Sequence, residues 1–335
     1  MGRATADRTG EPADLRRPLT AWYRANARDL PWRTADRTPW GVLVSEVMLQ
    51  QTPVARVLPV WTDWLQRWPG PAALAGVGPG EAIRHWGRLG YPRRALRLHQ
   101  AAGRIVEAFG GQVPRRYDDL RTLPGIGGYT AAAVASFAFG ARHAVVDTNV
   151  RRVQARLVTG VALPAPALTS AEQRLADALL PRTGAATATW NVAVMELGAL
   201  VCTARGPACE ECPVSEHCAW RRAGSPAYQG RPHPVQAWAG TDRQVRGRLL
   251  QALRDSAGPL SGRELVRACP PEGLRDPAQR DRCLDSLVAD GLVEPLSGDR
   301  YRLPAGPRPV VTLRPPGKSP RNRKPPLGGA TRDQV

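Results

Sequence analysis

"LPGIGGYTAAAVASFAFGARHAVVDTNVRR", Leu123 to Arg152, opens on a glycine turn and runs into an apolar helix that stops at Gly140, a favourable C-cap residue. A short helical segment, Asp118 to Thr122, precedes the turn. Gly125 and Gly127, on either side of Ile126, let the backbone reverse sharply and point successive N–H groups outward. With the positive end of the next helix behind them, those groups suit a phosphate. The same glycines fit a plain helix–turn–helix corner equally well. Asp147, in "VVDTNV", is harder to pass over. It follows a dry valine pair and precedes a basic helix, where a carboxylate needs a reason.

Working outward, charge comes next. The 335 residues carry 47 Lys and Arg against 29 Asp and Glu, a net charge of +18. That excess points to a polyanionic partner, although Lys318 and Lys324 are the only lysines and biased codon usage explains such a skew equally well. The length suits two or three domains. The amino terminus, "MGRATADRTGEPADLRRP", lacks the apolar core of a secretory signal, and the apolar run near Tyr129 to Ala141 is too short to span a bilayer. A cytoplasmic, monomeric protein with no membrane partner is expected.

Four of the six cysteines cluster as C-x6-C-x2-C-x5-C: Cys202, Cys209, Cys212 and Cys218. Four thiolates this close can converge on one metal centre. Zinc sites more often pair two short C-x2-C units, and only one is present. A [4Fe–4S] cluster tolerates uneven loops. Spacing leaves both open. Cys269 and Cys283 read as buried apolar thiols.

In chain order the pattern is mostly helical. "DLRRPLTAWYRANARDLPW" has apolar residues at helical spacing, and "WGVLVSEVMLQQTP" is a second helix stopped by Pro53. Glu46 and Gln50 stand one turn apart there, and pattern alone lets them face solvent. Helices around Val54–Trp68, Gly80–Gly87 and Ala95–Phe109 follow. Between the last two, "GRLGYPRRA" reads as a Gly-bounded loop exposing Leu89 and Tyr91 beside arginines, suited to wedging against bases or to a packed corner. "TNVRRVQARLVTG" is helical to Gly160, overlapping capping boxes start at Thr169 and Ser170, and "TWNVAVMELGALVC" is an apolar helix leading into the cysteine loop.

Residues 227–240 read as a linker. Residues 241–303 read as a separate small unit of three helices and a hairpin, a winged-helix pattern, with its third helix capped by Asp276 and started by Pro277. From Pro304 onward, eight prolines and seven basic residues indicate a disordered cationic tail; residues 1–13 read as disordered too.

Taken together and in order, these motifs resemble the adenine DNA glycosylase (MutY) family of the helix-hairpin-helix (HhH-GPD) superfamily, over about Leu15 to Trp220. They are "LPWR" (Leu30–Arg33), "SEVMLQQT" (Ser45–Thr52), "GRLGY" (Gly87–Tyr91), "LPGIGGYT" (Leu123–Thr130), "VDTNV" (Val146–Val150), "MELGALVC" (Met195–Cys202) and the cysteine set. The resemblance implies a mainly α, two-lobed glycosylase core spanning 14–226. It also implies a cleft between the lobes and a [4Fe–4S] cluster on Cys202, Cys209, Cys212 and Cys218, in the lobe built from both ends of the core. By that likeness Glu46 protonates adenine, Asp147 stabilises the sugar cation, and Tyr129 and Asn149 support them. Trp32, Arg33 and Arg28 match adenine-pocket positions. Gln51, Thr52, Leu89, Tyr91, Gly125 and Gly127 match positions that contact duplex DNA, carrying adenine opposite 8-oxoguanine or guanine.

The residue types suit that chemistry. A carboxylic acid kept protonated in "VLVSEVML" can donate to the leaving base, while a second carboxylate at a helix start is favoured as an anion. The sequence departs from the family at three places. Val192 stands where Gln or Glu is usual, "DTN" replaces the commoner "DGN", and the 241–303 unit occupies the place of a larger lesion-reading domain. Two other readings are a thymine or uracil mismatch glycosylase and a winged-helix regulator with an iron–sulfur cluster.

Overall fold

The computed structural model describes residues 12–228, 230, 239–270 and 274–306. The amino-terminal segment, most of the expected linker and nearly all of the tail lie outside the described residues.

Helix α1 (Pro12–Asn26) is followed by α2 (Pro39–Met48), where Thr38 caps the Gly41 amide and Pro39 presets the first turn. Every residue from Trp40 to Met48 is buried, so α2 has no solvent face. Around it lie α3 (Val54–Arg67), α4 (Pro71–Ala75), α5 (Pro79–Trp86), α6 (Arg93–Phe109), α7 (Tyr117–Arg121) and α8 (Gly128–Phe139), with α3, α6 and α8 packed directly on α2. Their shared core is built on Leu43, Met48, Trp64, Ile83, Trp86, Leu98 and Ile105. Fully burying an aliphatic side chain of this kind contributes roughly 1.5–3 kcal/mol.

A second lobe joins α1 to α9 (Thr148–Gln154), α10 (Ser170–Leu179), α11 (Gly184–Leu200) and α12 (Ala219–Arg222), over Leu19, Val150, Val153, Trp190, Val194 and Leu197. Both ends of the 15–220 stretch build this lobe, as expected. After α9 the turn Ala155–Thr159 is wound wider, as a π-helix, and ends at Gly160. Thr169 and Glu172 form their capping box, whereas Gln173 turns to Asp177 and leaves the overlapping box unmade. A small cluster of Ala132, Ala133 and Val145 with Tyr129, Phe137 and Met195 fills the seam between the lobes.

The last elements are α13 (Asp242–Asp255), β1 (Leu260–Ser261), α14 (Gly262–Ala268), α15 (Gln279–Ala289), β2 (Glu294–Leu296) and β3 (Arg300–Arg302), the strands pairing antiparallel in the order β1-β3-β2. This is the expected winged-helix order, with β1 too short for any pattern to announce. α15 is regular from Gln279, and the Asp276 carboxylate accepts from the backbone at Ala278 and Gln279, as a cap should, while also binding Arg282 at 3.1 Å. Val245, Leu249, Leu250 and Leu253 on α13, which packs on α14 and α15, fall in one continuous apolar cluster with the first lobe's core. The Gly80 amide donates to the Pro304 carbonyl at 2.8 Å, and any side chain at Gly80 would meet that carbonyl. Cys269 and Cys283 are buried, as expected.

Candidate active site

Glu46 lies on α2 with 6% of its surface exposed, so the solvent-facing alternative falls. Burial pushes its carboxyl from 4.5 up to about 7; the nearby Asp147 charge adds to the rise, while a hydrogen bond from the Tyr129 hydroxyl and the Arg33 charge oppose it. Burial, and then the neighbouring carboxylates, hold the Tyr129 phenol well above its ordinary value, so it stays a donor. Tyr129 reaches Glu46 because α8 packs on α2 directly after the glycine turn.

Asp147 caps α9. Its Oδ1 accepts from the Val150 amide at 2.7 Å and its Oδ2 from Asn149 Nδ2 at 2.9 Å. Burial raises its pKa, and these bonds together with the Arg152 charge pull it back. Both carboxyls are raised by burial, and Asp147 has the more hydrogen bonds opposing the rise. The chain of bonds continues. Arg152 Nη2 donates to Asn149 Oδ1 at 2.7 Å and to the Gly198 carbonyl at 2.6 Å, and its Nε to the Cys202 carbonyl at 2.7 Å. α9 and α11 approach so closely here that a Cβ on Gly198 would sit 2.7 Å from that of Asn149.

Arg28 and Arg33 converge on Glu196, whose side chain is fully buried: Arg28 Nε lies 2.7 Å from Oε1 and Arg33 Nη2 2.9 Å from Oε2. Burial alone would raise Glu196; the hydrogen bonds from Arg28 and Arg33 bring it down to about 2. One nitrogen, Arg33 Nη1, is buried without a partner. Trp32 beside it is buried in the first lobe, edge-on to Trp61 at 5.4 Å. Sequence reasoning missed Glu196 as a site residue, although "MELGAL" contains it. Its only signal was an acid inside an otherwise apolar helix.

The two loops beside the site share one clamp. Arg94 Nη1 donates to the carbonyls of Val47, Met48 and Gln50, and Nη2 to Thr52 Oγ1 and the Gly90 carbonyl. Thr52 Oγ1 donates in turn to the Leu89 carbonyl at 3.2 Å. Gln51 and Tyr91 both hold left-handed backbone, at φ 54° and 47°, which costs on the order of 1 kcal/mol each. Leu89 departs from expectation: it is 3% exposed and fills the core, because the turns at Gly87 and Gly90 rotate it inward. Tyr91, at 46% exposure, is the loop's outward apolar side chain. In the hairpin only Gly125 requires glycine. Its φ is 78° and a Cβ would meet Arg97 at 2.8 Å, whereas Gly127 is extended with open space around it.

Cys202, Cys209, Cys212 and Cys218 line one small hollow with Arg156, Val201 and Trp220. Burial, with the like charges of the other three added, pushes the Cys212 thiol up to about 11 against the Val214 amide. Burial raises the Cys218 thiol too, and metal binding would relieve such crowded thiols by replacing their protons. Arg156 donates to Cys202 Sγ at 3.4 Å and lies 4.8 Å from the Trp220 ring centroid. The four thiols lining one hollow are the donor set an all-sulfur group would take, although among the described residues no three of them are grouped as for a single metal ion.

Two family models match the chain. HhH-GPD superfamily base excision DNA repair protein covers residues 44–173, and the iron–sulfur binding domain of endonuclease III covers residues 202–218. The chain is 54% identical to the adenine DNA glycosylase of Mycolicibacterium smegmatis over 285 residues, 85% of this chain and 94% of that one. It is 51% identical to that of Mycobacterium tuberculosis over 286 residues, 85% of this chain and 92% of the other. A match of this length necessarily takes in most of the C-terminal unit, which these relatives therefore share. A solved thermostable thymine-DNA glycosylase superposes with a TM-score of 0.57 at 28% identity, over 63% of this chain and 97% of its own. A raised acid beside a helix-capping aspartate, a glycine hairpin and a four-cysteine iron–sulfur loop thus sit on a fold shared with base-excision enzymes, and the chain belongs to the adenine DNA glycosylase family, hydrolases of N-glycosyl bonds.

Proposed function

We propose that this enzyme removes adenine mispaired with 8-oxoguanine or guanine in duplex DNA, after flipping it out of the stack, and that Glu46 is its general acid. The observation that carries the reading is the buried carboxyl raised to about 7 beside Asp147 and Tyr129. Neutral Glu46 delivers its proton to N7 of the flipped adenine, and the C1′–N9 bond breaks with its electron pair leaving on the base. Asp147 offsets the positive charge left on the sugar, with Asn149 holding its orientation. Water adds at C1′, its proton returns to the Glu46 carboxylate, and the products are free adenine and an abasic site.

Arg33 supports base recognition, since its unpartnered Nη1 offers a donor beside Glu196. Glu196 stands one helical turn beyond Val192, on the same face, so the Arg28–Arg33–Glu196 group places polar chemistry where Val192 lacks it. Gly125 and Gly127 present the hairpin amides to a phosphate, while Gln51 and Tyr91 face the parted stack and the buried Thr52 braces their loops. Leu89 contributes to this loop through the carbonyl that Thr52 binds. The enzyme acts as a monomer in the cytoplasm, on the nucleoid. Among the described residues no helix is long and apolar enough to cross a membrane.

A [4Fe–4S] cluster on the four cysteines ties the loop after α11 into one body. The purified chain should carry about four irons and no stoichiometric zinc. Cys212→Ser should lower iron content and weaken duplex binding, read by elemental analysis and gel shift. One zinc per chain would sink this assignment.

The deciding experiment is base release from duplexes with adenine opposite 8-oxoguanine, guanine, cytosine and thymine, alongside thymine and uracil opposite guanine. Adenine release opposite 8-oxoguanine and guanine is expected; release of thymine alone would favour the activity named for the thymine-DNA glycosylase relative. Run with borohydride, the same reactions should leave no covalent adduct. Tyr129 holds the place where a lyase lysine would follow the hairpin, and no lysine precedes Lys318.

A further inference from the structure

In a helix–turn–helix the second helix of the pair reads DNA from the major groove. Here that helix is α15, and its exposed positions include Asp281, Arg282, Asp285 and Ser286. Arg282 is already bound to both oxygens of Asp276 at 3.1 Å, and Arg280 to Asp281 at 3.1 Å. Two carboxylates beside neutralised arginines make a poor surface for phosphates.

Several of the unit's polar bonds run into the first lobe. Arg84 donates to the carbonyls of Arg254 and Ser256, Arg254 Nε donates to the Ile83 carbonyl at 2.9 Å, and Arg93 lies 3.3 Å from Asp290. The first turn of α13 then brings Arg243 to the strand-parting loop. Its guanidinium carbon is 5.1 Å from the Tyr91 ring centroid, and Nη2 lies 4.0 Å from where a side chain on Gly90 would begin. Arg94, the clamp of both loops, approaches the same ring at 5.5 Å. A half-exposed ring on strained backbone is thereby held by one arginine from its own lobe and one from the C-terminal unit.

We propose that Arg243 is a positioning residue for the strand opposite the excised base. It holds the Tyr91 ring in the orientation that enters the parted stack, so that the C-terminal unit acts on opposing-base selectivity through Tyr91 instead of laying α15 in a groove. This rests on the adenine-release reading above. An exposed cation–π contact is worth a factor of about two to five, and that is the size of effect to seek.

The test uses the full chain and single-turnover adenine release opposite 8-oxoguanine and opposite guanine. Wild type, Arg243→Ala, Tyr91→Ala, the double variant and Arg282→Ala are compared. Arg243→Ala should change the ratio of the two rates about two- to fivefold in the direction of Tyr91→Ala, and should add nothing in the Tyr91→Ala background. Its melting temperature and the salt slope of duplex binding should stay as in wild type, as should the ratio for Arg282→Ala. A general loss of folding would lower both rates together and leave their ratio alone. An unchanged ratio, an equal effect of Arg243→Ala in both backgrounds, a salt slope reduced by about one, or a larger shift from Arg282→Ala would each overturn the proposal. A wild type that releases no adenine defeats the functional reading itself, whereas one that does so with an indifferent Arg243 defeats only this inference.

Discussion

Glu46→Gln should lose at least about a hundredfold, and up to ten-thousandfold, in single-turnover adenine release while keeping most of its duplex affinity. The amide preserves shape and burial but cannot deliver a proton. In the wild type the proton-loaded form is the active one, so release should fall about tenfold per pH unit above 7, the value to which burial raises this carboxyl. The same shift affects stability. Because the folded chain holds this proton more tightly than the unfolded chain, the contribution is complete below about 4.5 and is lost as pH rises through 7. Glu46→Gln escapes that loss. Its melting temperature should match wild type near pH 4.5 and exceed it by several degrees at pH 8.5, a gap of at most about 3 kcal/mol. A variant retaining more than a tenth of the wild-type rate would end the assignment of Glu46 as the acid.

Glu196→Ala is expected to be the most damaging change to the fold. It leaves Arg28 and Arg33 without their shared partner at a fully buried position, and breaking a buried ion pair by removing one member costs about 3–5 kcal/mol. In a chain of this size that is roughly a 10 °C drop in melting temperature. The sign with pH is opposite to that of Glu46. Glu196 is held down at about 2, so its contribution is whole above 4.5 and is lost as pH falls through 2. The gap between variant and wild type, measured by chemical denaturation, should therefore close as pH is lowered from 5 towards 2. A gap that stayed constant over that range would show that the loss comes from packing and not from the ion pairs. Adenine release should also fall, because both arginines flank the proposed base pocket.

Local signals within a few residues made much of the architecture legible. Pro39, Gly140 and the Thr169–Glu172 box mark helix ends by backbone constraint and capping, effects that need no distant partner, whereas α2 stops at Met48, short of the Pro53 expected to end it. The cysteine spacing and the order of motifs marked the family in the same way. Where reading failed, a distant contact had changed the meaning of a local pattern. Leu89 lies in a polar loop but turns inward between two glycines.

By itself, then, the sequence determined many of the helix boundaries, which cysteines group together and the family whose motifs single out two carboxylates. Tertiary structure alone decided that Glu46 is dry, because α2 is enclosed on every side by helices whose residues lie up to about a hundred positions away. It also decided that Arg28 and Arg33 meet Glu196, that Arg152 links Asp147's neighbour Asn149 to the cysteine loop, and that Arg243 reaches Tyr91 from the C-terminal unit. An arginine reads as surface charge until packing supplies its acceptors. A carboxyl's acidity, likewise, is set by the solvent and charges around it, which no run of neighbouring residues specifies.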